Sequence, residues 1–464
     1  MTTDVQKKQS VQSILYSKIS KLLSQITMKQ ITLLLFLALN AFAQNLPSSD
    51  PIQAGLSKDG LQRVETFLAS ESDKQIIPGC VGMVVRHGQV VYKKAFGKAN
   101  LETGEAMRTD HLFRMASMTK IITGVAGLKL FERGLFTMDT PLEKILPEFA
   151  NMQILVEYDT LAHKFITRPA KNKILMKHLF THTSGIVYPP FSKLGREGYL
   201  NANITIAFPK ATTKLTLSDI IQGTAKLPLV HEPGESWNYG MNLEVIGRVI
   251  EVLDGRTFAD FLRQEIFNPL KMNHTFVGLP EGEWKNMAQV YTQDKSGKKS
   301  IYSDEVGKKL LGFSTEMTMD YYKNTNTTLA MGGTDVISTV DDYARFFQML
   351  LNYGQLDGAQ ILSKKTVEMI EKPLFDVATK DGVAMGVTGR AQFKAGVTVY
   401  VYPEEQAKFE TISAGSYFWK GYFGTQFWID RKEDMFALIF FQLAPEPTNF
   451  NEKFRHLVWG SIAK

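Results

Sequence analysis

The 464 residues are 44% hydrophobic and 22% charged, with 30 Phe, which excludes a disordered or low-complexity chain. At roughly 100–200 residues per domain, about two or three structural units are expected. The formal charge of +6 is largely carried by Lys7, Lys8, Lys18, Lys21 and Lys29, set against Asp4 alone in the first 43 residues. The remainder is nearly neutral, and no basic stripe interleaved with aromatics points to nucleic acid.

In chain order, Met28-Lys29 precedes an apolar run from Ile31 to Leu39 and then Ala41-Phe42-Ala43. A short basic region, an apolar core and a small-x-small site predict a secretory signal peptide, with Met28 as a candidate start. The run is well short of the ~20 residues a membrane span needs, so no stable span is expected after cleavage. No Cys follows the apolar core, so a lipid anchor is not expected either. Cys80 is the sole cysteine, which rules out an internal disulfide and fits export into a bacterial envelope, periplasmic or extracellular.

Residues 44–59 read as a polar linker. Cys80 to Val85 and Val90 to Phe96 are β-rich runs around a turn at Arg86-His87-Gly88-Gln89. Helix-length apolar patterns follow at Ser117 to Glu132, Leu217 to Gly223, Leu243 to Leu253, Phe258 to Ile266 and Thr339 to Leu351. Thr216/Asp219 and Ser338/Asp341 have capping-box spacing. Gln289 to Thr328 is polar and weakly periodic, and reads as excursion loops. Gly424 to Ile429 and Met435 to Leu443 form a second apolar hairpin around Asp430 to Asp434. The expected fold is an α/β sandwich, with an antiparallel sheet built from both chain ends and flanked by helices. Its sheet part covers about 60–110 and 335–464, and a mostly helical part about 111–334.

Ser-x-x-Lys places a hydroxyl and an amine one helical turn apart. The pattern occurs three times, but Ser296-Lys299 lies in a polar loop and Ser461-Lys464 at the C-terminus. Ser117-Met118-Thr119-Lys120 instead opens a segment apolar nearly all round, where backbone N–H groups favour negative charge. Serine needs an adjacent base, and a buried lysine suits that task. There is no G-x-S-x-G elbow and no H-E-x-x-H, and the eight histidines are scattered, so neither a metal nor any other cofactor is expected.

Phe113 to Lys120 resembles the nucleophile segment of the serine β-lactamase and penicillin-binding-protein superfamily, in its class C-related, esterase-like branch. His178 to Ile186 and Met331-Gly332-Gly333 resemble further segments of that family, read as structural, His182 included. The resemblance implies the α/β sandwich over residues 60–464, with Ser117 as nucleophile. Lys120 and Tyr239, the latter following Pro233-Gly234, would handle its proton. It also implies a substrate-binding strand with Trp419 in the place of the family's lysine, followed by Gly421 and Tyr422. The N–H groups of Tyr422 and Ser117 would then form an oxyanion hole. Two positions depart from the β-lactamase pattern. Met241 stands where an Asn is usual, and Lys420 where Thr or Gly is usual.

The expected reaction is acyl transfer through an acyl-serine on a small ester or amide, β-lactams and D-amino-acid peptides included, with esters preferred. An acyltransferase of the same fold and a non-catalytic homologue remain open, as does the oligomeric state.

Overall fold

His87 and Gly88 both take positive φ, 53° and 73°, the backbone of a two-residue turn whose twist suits a hairpin. It joins β1 (Gly79–Arg86) to β2 (Gln89–Gly97) in the computed structural model, which describes residues 45–192, 194–325, 328–377 and 393–463. The signal-peptide reading over 1–43 therefore lies outside the described residues.

The C-terminal part supplies β3 (Phe375–Asp376), β4 (Lys394–Ala395), β5 (Tyr400–Val401), β6 (Tyr417–Lys420), β7 (Gln426–Asp430) and β8 (Met435–Phe441). These pair in the order β3-β4-β5-β6-β7-β8-β1-β2 as one antiparallel sheet of eight strands. Strand from one end of the chain thus meets strand from the other, with Cys80 opposite Phe441 and Arg86 opposite Met435.

Helices cover both faces. On one lie α1 (Lys58–Asp73) and α6 (Phe450–Trp459), on the other α5 (Val340–Leu351). Strand alternation sorts neighbouring side chains between them. Phe427 stacks on Phe347 of α5 at 4.2 Å, whereas Trp428 meets Phe454 of α6. Phe440 packs on Tyr343, and Phe441 on Phe450. With both faces covered, β1 and β8 are buried along their whole length, which explains their unbroken apolar runs. The α/β sandwich expected from the sequence is the fold observed. No helix among the described residues is long and apolar enough to cross a membrane. Within residues 44–59, Leu46, Ala54 and Leu56 are buried and Ser57 caps α1.

Between the sheet's two contributions lie α2 (Thr119–Glu132), α3 (Leu217–Ala225) and α4 (Asn242–Asp254). The capping box predicted at Thr216 and Asp219 opens α3 as expected. The one predicted for α5 is shifted by a residue. Thr339, not Ser338, accepts the N–H of Asp342, because Ser338 is still in a strand and its hydroxyl is bound to Thr275 at 2.7 Å. The pattern from Phe258 is α-helical only to Leu262 and continues as a π turn to Phe267.

The segment read as loops holds a short hairpin, Tyr291–Gln293 with Lys299–Ile301, and a helix, Asp304–Leu311. Ser303 caps that helix, with acidic residues in its first turn and Lys308 and Lys309 in its last, so capping and charge add to the few apolar contacts, Val306 and Leu311, that it makes with the core. A small three-stranded sheet, in which Val336–Ser338 pairs with Phe113–Arg114 and Phe276–Val277, fixes the chain just before Ser117.

Candidate active site

The backbone is strained immediately before Ser117, since Ala116 has φ 45° in the left-handed region. Ser117 itself lies in a 3₁₀ turn, Ala116–Met118, and α2 proper begins at Thr119. The sequence pattern placed it at the helix start; the extra tight turn sets it two residues ahead of the helix.

Its hydroxyl is 2.6 Å from the Tyr239 hydroxyl and 3.2 Å from Lys120 Nζ. Lys120 is fully buried. Its Nζ donates to the Tyr188 hydroxyl at 3.2 Å and to the Gly333 carbonyl at 2.9 Å, which leaves its third direction turned towards Ser117 Oγ. Tyr188 in turn donates to the carboxylate of Glu244, itself fully buried. Burial pushes the Glu244 carboxyl up, while the Lys120 charge and the Tyr188 hydrogen bond pull against it. Burial and the Glu244 charge hold the Tyr188 phenol well above its ordinary value, so it stays a neutral donor.

Tyr188, Glu244 and Gly333 are the residues that sequence reasoning missed. The Met331-Gly332-Gly333 turn read as structural supplies a carbonyl to Lys120. A Cβ on Gly333 would sit 2.1 Å from Glu244 Oε1 and 2.6 Å from the Tyr188 hydroxyl, so only glycine fits. The one signal for Glu244 is a carboxylate early in the otherwise apolar first turns of α4.

His182 is buried, and its Nδ1 lies 2.9 Å from the Asn242 side-chain nitrogen. Burial, reinforced by the Lys120 charge, holds it well below the ordinary histidine value, so it is neutral. Asn242 also binds Ser184 and serves this loop, and Met241 is buried at the start of α4 with its sulfur 3.9 Å from the Thr224 hydroxyl.

Trp419 is buried on β6, 4.5 Å from the Tyr400 ring, 5.9 Å from Tyr239 and parallel to His182 at 6.0 Å. Gly421 packs against the nucleophile's own support. A Cβ there would meet the Met115 carbonyl oxygen at 2.3 Å and Thr425 Oγ1 at 2.2 Å. The close approach this glycine permits is thus to the chain beside Ser117.

Ser117, Tyr239, Trp419, Gly421 and Tyr422 line one cavity of about 310 Å³. The rest of its wall is mainly apolar and aromatic, including Phe191, Ile206, Phe208 and Tyr400. Lys420 and Glu446 stand at its edge, paired with each other.

A hydroxyl held by an amine and a phenol beside an apolar cavity is equipped for covalent acyl transfer. Comparison with known proteins agrees with that chemistry. Acyltransferase mokF of Monascus pilosus is 28% identical over 329 residues, 69% of this chain and 72% of that protein. Esterase EstB of Burkholderia gladioli is 30% identical over 226 residues, covering 48% of this chain and 54% of that one. Among solved structures, EstCE1, described as a hydrolase with promiscuous acyltransferase activity, superposes with a TM-score of 0.71 at 20% identity. That match covers 87% of this chain and 98% of the other, and speaks for the fold. The β-lactamase family model matches residues 62–458, and on that match this chain is a member of the β-lactamase family.

Proposed function

We propose that the protein is a serine esterase working through an acyl-enzyme on Ser117. The observation that carries the reading is the contact of Ser117 Oγ with both Tyr239 and Lys120 at the wall of an apolar cavity. Ser117 Oγ attacks the ester carbonyl, and its proton passes into the Lys120–Tyr239 pair. The oxyanion is held by the N–H groups of Ser117 and Tyr422. As the C–O bond breaks, the pair returns the proton to the leaving alcohol. Water then attacks the acyl-serine by the reverse route.

The preference for esters over β-lactams rests on two side chains. Trp419 gives the site no cation for a drug carboxylate, and buried Met241 gives no amide for its side chain. Leaving such groups unpaired costs roughly 1–3 kcal/mol each, about two orders of magnitude or more in turnover for the two. A small apolar ester needs neither contact.

The test compares kcat/KM for a p-nitrophenyl short-chain ester and a chromogenic cephalosporin on one preparation. Equal efficiency would defeat the argument from Trp419 and Met241. In parallel, a fluorophosphonate should label the peptide carrying Ser117, and Ser117→Ala should abolish labelling without changing the circular dichroism. Added alcohol acceptors separate hydrolysis from the acyl transfer that the mokF relative suggests. If acylated alcohol outpaces free acid, the acyltransferase reading replaces this one.

A further inference from the structure

Among the described residues lining the cavity, Lys420 and Glu446 are the only formally charged side chains. They come from different places. Lys420 ends β6, next to Trp419, and Glu446 follows β8. Glu446 Oε1 accepts from Lys420 Nζ, and Oε2 accepts from Asn451 at 2.9 Å, so the carboxylate is held at both oxygens. Asn451 lies in the first turn of α6 and is itself buried. Both charged side chains keep about a quarter of their surface exposed, 25% and 29%, so they face both the cavity and water.

We infer that Glu446 is a specificity-determining residue: by occupying the Lys420 ammonium it makes the cavity edge electrically neutral and turns the enzyme towards uncharged esters. The inference rests on the esterase reading above and names the substrate class of that same site. Without Glu446, Lys420 would present an unpaired cation to the cavity that the nucleophile also lines, where a substrate carboxylate could use it. With Glu446 in place, an anionic substrate must either displace a carboxylate already fixed by Asn451 or lie next to it. Both are unfavourable, because like charges in a partly desolvated site repel more strongly than in water. An uncharged ester meets no such obstacle. Lys420, standing where the β-lactamase pattern has Thr or Gly, therefore does not restore the cation that Trp419 removes.

Four proteins test this: wild type, Glu446→Gln, Lys420→Gln and the double variant. Each is assayed on two matched pairs of esters. One pair is p-nitrophenyl hexanoate and mono-p-nitrophenyl adipate, charged on the acyl side. The other is methyl acetoxybenzoate and acetoxybenzoate, charged on the leaving side. The readout is the anionic-to-neutral ratio of kcat/KM, which cancels any general loss of activity.

The ratio should rise roughly three- to tenfold in Glu446→Gln on at least one pair, the scale of a partly exposed charge contact. It should fall in Lys420→Gln, which leaves Glu446 unpaired, and return near wild type in the double variant. The rise should shrink with added salt. Should Glu446→Gln lose its Asn451 contact and with it the fold, Lys420→Gln carries the test alone. A ratio unchanged across the variants while neutral esters are still cleaved overturns this inference and leaves the esterase reading intact. No cleavage of either neutral ester by the wild type overturns both.

Discussion

Lys120 binds three partners from three separate stretches of chain, at Ser117, Tyr188 and Gly333. Because Ser117 also touches Tyr239, amine and phenol form one proton path rather than two independent aids. Lys120→Ala and Tyr239→Phe should each lower kcat by about 10²–10⁴-fold, and the double variant should be little worse than either. Multiplicative losses would show that they act separately. The Ser117–Lys120 contact is legible in the sequence because it needs only one turn of helix. The Tyr188–Glu244 pair behind it is not, because Tyr188 lies in a loop just before the turn Pro189–Phe191 and meets Glu244 only when that loop is folded against α4. Gly333 was hidden for the opposite reason. Its pattern was visible, but its carbonyl, not its missing side chain, does the binding.

At the scale of elements, sequence reading goes wrong where two structures compete for the same residues. Ser338 and Thr339 are both adequate caps, and the strand pairing Ser338 with Phe113 decides between them. Thr339→Ala should therefore destabilise the protein by about 0.5–2 kcal/mol, seen as a lower urea midpoint at unchanged slope. Ser338→Ala should cost less, since Thr275 keeps its bond to Asp342 at 2.8 Å. A larger loss at Ser338 would place the cap where the sequence alone puts it. The turn at Ala116 shows the same competition. An apolar run reads as helix from Ser117, yet the chain leaves its short strand at Arg114 and must turn tightly before α2 can begin. The helix and hairpin between Gln289 and Thr328 were obscured because they are short, and few apolar residues, Tyr291, Val306 and Leu311 among them, tie them to the core.

At the scale of the molecule, one carboxylate ties the helical part together. Glu265, in the π turn, binds Lys129 at 3.0 Å and Arg133 at 2.7 Å at the end of α2, and Arg256 at 2.8 Å. Burial pushes its carboxyl up, but Arg256, Lys129 and Arg133 outweigh that and hold it at about 2, below the usual 4.5. A depressed carboxylate stabilises the fold above its unfolded value, and the effect is lost as pH falls through the folded one. Glu265→Gln should thus be less stable than wild type near neutral pH, and the gap should close between pH 4.5 and about 2. Urea melts of both proteins across that range measure it. The difference between the two is the proper readout, because buried Asp335 and Asp342, pushed up to about 7 and about 6, add a slope of opposite sign to both.

The pairing of β1 with β8 also sets an order of events during synthesis. Arg86 bonds a residue 347 positions further on, so the β1–β2 hairpin leaves the ribosome long before its other neighbour exists. Until Met435–Phe441 emerges, the buried strand Gly79–Arg86 offers an open, apolar hydrogen-bonding edge to any other chain. Closing a contact of such long range is also slow, which prolongs that exposure. A chain cut after Asp434 should therefore be recovered as aggregate, whereas the full chain is recovered in solution. Nascent protein has to be kept from its own kind until β8 has emerged.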